Sequence, residues 1–114
     1  MEDCIFCKII AGDIPGDIVY RDDDILAFRD INPVAPTHIL IIPVRHYATL
    51  HDIPESEGSL VSSMMKTATM LAIQEGIDTT GYRLVINTGE WGGQVVKHLH
   101  LHLIGGRNLS EKLG

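Results

Sequence analysis

Six consecutive residues near the C-terminal end, His98-Leu99-His100-Leu101-His102-Leu103, alternate an imidazole with an apolar branch. A period of two belongs to a strand, so the spacing predicts three imidazoles on one face and three leucines on the other. The leucine face packs and the imidazole face is left for chemistry. A glycine-rich stretch, Thr88-Gly89-Glu90-Trp91-Gly92-Gly93-Gln94, lies just before the row and argues against mere decoration of an exposed sheet. One metal cannot easily take all three rings. At about 3.3 Å per residue the Cα atoms of His98 and His102 lie roughly 13 Å apart, whereas zinc needs each nitrogen within about 2.1 Å. An adjacent pair can share a metal, or one ring can serve a metal while its neighbours face a substrate.

The 114 residues have room for one core, and no repeat, low-complexity tract or linker divides them, so residues 1–114 are read as one domain. Residues 5–10 form a short helix stopped by Gly12 and Pro15. Ile18–Arg21 and Ile25–Arg29 read as strands joined by a turn at Asp22-Asp23-Asp24. Residues 37–42 are apolar without alternation, which marks a central strand buried on both faces. A long helix is expected from Asp52-Ile53-Pro54-Glu55, with Asp52 capping and Glu55 reciprocating, to Gly76. Its core stripe is Leu60, Met64, Ala68 and Leu71, joined by Val61, Met65 and Ala72. Residues 82–87 and 95–104 complete the strands. The sum is an α+β fold: a five-stranded, mostly antiparallel sheet with one long and one short helix.

Nine Lys and Arg against fifteen Asp and Glu leave a net charge of -6 with no basic cluster, which disfavours a nucleic-acid backbone as partner. The first residues lack the basic start and apolar run of a secretion signal. Residues 39–42, the longest apolar stretch, are far too short to cross a membrane. A cytoplasmic protein is expected. In a reducing compartment the pair Cys4 and Cys7 points to metal or redox chemistry more than to a structural bridge. No strand precedes the pair, which weakens a thioredoxin-like reading; two small reduced hydrophobes are the bland alternative.

The run His98 to Ile104 resembles the His-x-His-x-His-x-x signature of the histidine triad nucleotide-binding family, with x apolar. Further segments fall in the family's order and spacing: Ile5-Phe6-Cys7-Lys8-Ile9-Ile10, Phe28-Arg29-Asp30-Ile31, Ala35-Pro36-Thr37-His38-Ile39-Leu40-Ile41-Ile42-Pro43, Gly81-Tyr82-Arg83, Gly92-Gly93-Gln94 and Gly105-Gly106-Arg107. The resemblance is greatest to the nucleoside phosphoramidase branch and spans nearly the whole chain.

That resemblance implies a hydrolase of purine nucleoside 5'-phosphoramidates or related nucleotidyl conjugates, acting in two steps with no catalytic metal. His100 would be the nucleophile, since at pH 7 roughly three-quarters of unperturbed imidazoles are neutral. His102 would contact phosphate or assist proton transfer, and His38 would support the nucleophile from behind. Asp30 would accept from the ribose hydroxyls, Ile31 would lie beside the base, and Asn87 with the loop through Gly93, Gln94 and Val95 would hold phosphate. Many relatives carry a serine directly after Gly-Gly-Gln. Val95 stands there in this chain and offers a backbone amide but no hydroxyl, which puts leaving-group protonation in question. The resemblance also implies a homodimer joined edge to edge. Some relatives with the N-terminal cysteine pair resemble zinc proteins, and here the matching set is Cys4, Cys7, His46 and His98 around a structural zinc.

Two other readings compete with this hydrolase: a nucleotide-binding regulatory module with vestigial catalysis, made credible by Val95, and a zinc-dependent hydrolase using the histidine row directly.

Overall fold

The structure, a computed structural model, describes residues 3–113. Helix α1 is Ile5–Ala11. Its N-cap is Cys4, whose Sγ accepts the backbone N–H of Cys7, and its stop is Gly12 at φ 81°, a left-handed turn that favours glycine. Strands β1 (Ile18–Arg21) and β2 (Ile25–Arg29) follow with the expected limits. The acidic triplet between them is a turn: Asp22 Oδ1 accepts the backbone N–H groups of Asp24 and Ile25, each at 2.8 Å.

Strand β3 (Thr37–Pro43) is buried along its whole length. Helix α2 is Leu60–Gln74, and β4 (Tyr82–Ile86) and β5 (Leu101–Gly105) close the sheet. Among the described residues the order is β1-β2-β3-β5-β4, with every neighbouring pair antiparallel. The fold is α+β, as expected, and β3 is its centre.

The central position of β3 explains its missing alternation. Ile39 and Ile41 enter a core with Leu60, Met64, Ala68 and Leu71 of α2 and with Leu99, Leu101 and Leu103. Leu40 and Ile42 enter a second core on the other face with Phe6 and Ile9 of α1. Each fully buried Leu or Ile is worth about 1.5–3 kcal/mol relative to exposure, so the two cores hold a helix on each side of the sheet.

Three expectations need correction. The long helix starts at Leu60, not near residue 52. Asp52 does not cap it, because its carboxylate accepts the N–H of Thr49 at 3.0 Å and closes a capping box around a separate single turn, Leu50–Asp52. A second turn, Glu55–Glu57, follows Pro54 before the helix begins. Met65 lies on the exposed side of α2, off the buried stripe. Finally, β5 begins at Leu101 rather than at residue 95. Residues 89–94 form successive turns, and the N–H of Leu99 donates to the carbonyl of Tyr47 at 2.7 Å instead of joining β4.

Candidate active site and metal centre

Alternation survives where the strand does not. Leu99, Leu101 and Leu103 all enter the core beneath α2, while His98 and His100 lie on the opposite side against Phe6 of α1. The three imidazoles share a face, yet each meets different neighbours.

His98 is fully buried and joins Cys4, Cys7 and His46. Its Nε2 faces the carbonyl of Pro43 at 2.9 Å. A carbonyl only accepts, so Nε2 carries the proton and Nδ1 is left with its lone pair. That lone pair lies 3.3 Å from Sγ of Cys4 and 3.6 Å from Sγ of Cys7, and Nδ1 of His46 lies 3.3 Å from Sγ of Cys7. Around a tetrahedral zinc with bonds of about 2.3 Å to sulfur and 2.0 Å to nitrogen, each sulfur–nitrogen edge is about 3.5 Å. The four donors therefore fit zinc in both chemistry and spacing. Burial, aided by His46 and His100, pushes the His98 imidazolium down to about 4, so the ring is neutral at pH 7, as a ligand must be. Burial and the neighbouring Cys4 raise the Cys7 thiol. Zinc supplies the opposite bias, stabilising thiolates.

His100 belongs to neither group of metal-capable residues. Its Nδ1 lies 2.7 Å from the carbonyl of His98, which fixes the proton on Nδ1 and leaves the Nε2 lone pair free. Phe6 meets this ring edge to face, with centroids 5.2 Å apart and planes at 85°. Nothing in the sequence singled out Phe6; only the fold brings it here.

His102 pairs with His38, not with a metal. Nε2 of His38 is 3.0 Å from Nδ1 of His102 and 3.5 Å from Oδ2 of Asp30. These three residues lie close enough to chelate an ion. However, the backbone N–H of Val34 donates to His38 Nδ1 at 3.2 Å, which obliges a neutral His38 to keep its proton on Nε2. That nitrogen is a donor toward His102, so the cluster is a hydrogen-bond relay. His38 thus contacts His102, whose ring centroid lies 4.9 Å from that of His100. Burial lowers the His38 imidazolium against the pull of Asp30. Burial first, then the charges of His100 and His38, brings His102 down to about 4.

The other candidates surround this row. Asp30 accepts from the N–H of Asn32 at 2.8 Å, and Ile31 beside it is 91% exposed, an apolar side chain with no protein partner of consequence. Asn87 stands one step past Ile86, whose ladder partner is Leu101, which sets it level with His100. Its amide donates to the carbonyl of Gly92 at 2.8 Å and has a second hydrogen to spare. Gln94 holds the loop in place, donating to the carbonyls of Ala48 and Val96 and accepting from the N–H of Gly89. A Cβ at position 92 would lie 2.2 Å from the carbonyl oxygen of Thr88, so this turn admits only glycine; Gly93 has φ 81°. Val95 is 89% exposed and borders a cavity of about 520 Å³ that Cys4, Ile5 and His46 also line.

Comparison with known proteins places this geometry. Residues 11–109 match the HIT domain family. The chain is 51% identical to a purine nucleoside phosphoramidase of Escherichia coli K12 over 112 residues, covering 98% of this chain and 94% of that one. It is 49% identical to a 14 kDa zinc-binding protein of Brassica juncea, with 95% and 96% covered. Among solved structures, a HIT family hydrolase from Legionella pneumophila superposes with a TM-score of 0.94 at 49% identity, covering 98% of this chain and all of the other.

Proposed function

Since this chain belongs to the HIT domain family, we propose that it hydrolyses purine nucleoside 5'-phosphoramidates through a covalent intermediate on His100. The observation that carries the reading is the 2.7 Å bond from His100 Nδ1 to the His98 carbonyl, which in the neutral ring puts the lone pair on Nε2, the attacking nitrogen.

In the first step the Nε2 lone pair attacks the α-phosphorus, the phosphorus–nitrogen bond to the amine breaks, and the amine leaves with that electron pair, taking up a proton from solvent water that the second step returns. In the second, water attacks phosphorus, the bond to Nε2 breaks and returns its electrons to His100, and the water's proton departs. The product is a nucleoside monophosphate.

His102 presents Nε2–H to the phosphoryl group or the departing amine, because its Nδ1 accepts from His38. Asp30 accepts from the ribose hydroxyls, and the exposed Ile31 gains cover by lying against the base. The spare hydrogen of Asn87 and the backbone amides of Gly93, Gln94 and Val95 hold the phosphate oxygens. Cys4, Cys7, His46 and His98 hold a structural zinc.

Strand β4 is an edge of the sheet, and a second copy of the chain paired along an edge covers its unpaired backbone groups. The purine nucleotide is the ligand, and among the described residues no helix is long and apolar enough to cross a membrane. Free Cys4 and Cys7 suit a reducing compartment such as the cytoplasm.

The decisive experiment is intact-mass measurement seconds after mixing the zinc-loaded protein with adenosine phosphoramidate. The expected result is an acid-labile nucleotidyl adduct on the protein, absent in His100→Ala. An adduct that persists in His100→Ala would overturn the assignment.

A further inference from the structure

Three groups of His98 are engaged. Nε2 bonds the Pro43 carbonyl, Nδ1 faces the two thiols, and the backbone carbonyl holds His100 Nδ1. The ring that completes the metal cluster therefore belongs to the residue whose carbonyl sets the tautomer of His100.

A second route joins the same two places. Cys4 and Cys7 flank Phe6 on α1, and the Phe6 ring lies edge to face against both His98 and His100, at 5.8 and 5.2 Å between centroids. Helix α1 has seven residues, about half the length at which an isolated helix begins to hold in water. Its position depends on its anchors. Phe6 and Ile9 in the lower core are one, and the cysteine cluster is the other. Both cysteines lie before residue 11, where the family match begins.

We propose that zinc held by Cys4, Cys7, His46 and His98 orients His100, through the His98 carbonyl in the plane of its ring and through Phe6 against its face. The proposal rests on the reading of His100 as nucleophile. His98 and Phe6 are positioning residues; His100 itself donates nothing to the cluster. With the metal gone, His98 loses one of its two ring anchors and α1 loses one of its two anchors on the sheet. The His100 ring then samples orientations in which Nε2 points away from phosphorus. The chemical step suffers while Asp30, whose side chain contacts Asn32 and His38, keeps its place.

The test uses the full chain labelled with ¹⁵N-histidine, compared metal-free and with one equivalent of zinc chloride. The His100 ring signals are assigned by their loss in His100→Ala. With zinc, a single tautomer with a slowly exchanging Nδ1–H is expected. Without zinc, or in Cys4→Ser with Cys7→Ser, broadened or mixed signals are expected. Phe6→Leu, loaded with zinc, is expected to loosen the ring while zinc stays bound. In both perturbed forms kcat falls about ten- to a hundredfold with KM little changed.

Identical His100 signals with and without zinc, in protein that circular dichroism finds folded, would overturn the proposal. Should metal-free protein unfold, the Phe6→Leu signals decide: unchanged signals overturn it and broadened ones support it. The ring signals need no substrate. A zinc-dependent ring that forms no adduct supports the positioning role and rejects the nucleophile.

Discussion

Nε2 of His38 lies 3.0 Å from Nδ1 of His102, across neighbouring strands and 64 positions apart in the chain. With the Val34 N–H on its other nitrogen, His38 sends its proton toward His102, and His102 must then carry its own on Nε2.

His38→Phe keeps an aromatic ring and removes the donor. The stranded Nδ1 of His102 should cost about 1–3 kcal/mol of folding stability, measured by urea unfolding. Single-turnover release of amine should slow as the His102 tautomers mix. A rate equal to the parent's would show that the chemistry does not use the proton on His102.

Stability should depend on pH in a window set by imidazoles. Burial pushes both His98 and His102 down to about 4 in the fold and lowers His38 as well, while an unfolded histidine titrates near 6.5, so His102 carries only part of the dependence. Between those values the unfolded chain binds more protons, so stability rises with pH through this interval and is lost as pH falls through it. Glu75, lowered by its bond to Arg29, acts in the same direction but below the ordinary carboxylate value of 4.5. Urea midpoints of metal-free protein from pH 4.5 to 7.5 should climb, and His102→Gln should flatten the curve. An unchanged slope in that variant would assign the dependence elsewhere.

Val95 is solvent-facing, so replacing it disturbs little packing. Val95→Ser restores a hydroxyl able to make one hydrogen bond to the phosphate or the leaving amine, worth about 1 kcal/mol, or about fivefold in rate. The gain should be largest for amines of high pKa, compared by kcat/KM across a series. No gain for any leaving group would show that the backbone amide at this position is sufficient.

The extent to which the fold was legible followed how local its causes are. Strands β1 and β2 are set off by the turn residues between them, and both have the expected limits. Helix α2 begins later than the sequence suggests because Asp52 is as good a partner for Thr49 as it would be for a helix start, and a single sequence does not rank the two. The limits of β5 were misjudged for another reason. Burial sets the alternation from His98 onward, whereas a ladder needs a partner strand, and Tyr47 takes that role at Leu99. At the candidate site, the placement of His98 beside the cysteines followed from the resemblance. The pairing of His38 with His102 and the Phe6 contact depend on packing between distant segments, which no spacing encodes.

The shared alternation makes residues 98–104 intolerant of any change in length. Inserting or deleting one residue ahead of Leu99 would turn the leucines toward Phe6 and drive imidazoles into the apolar layer under α2. Substitutions can retune this segment one position at a time, but a frame slip would cost the protein its core and its reactive ring at once.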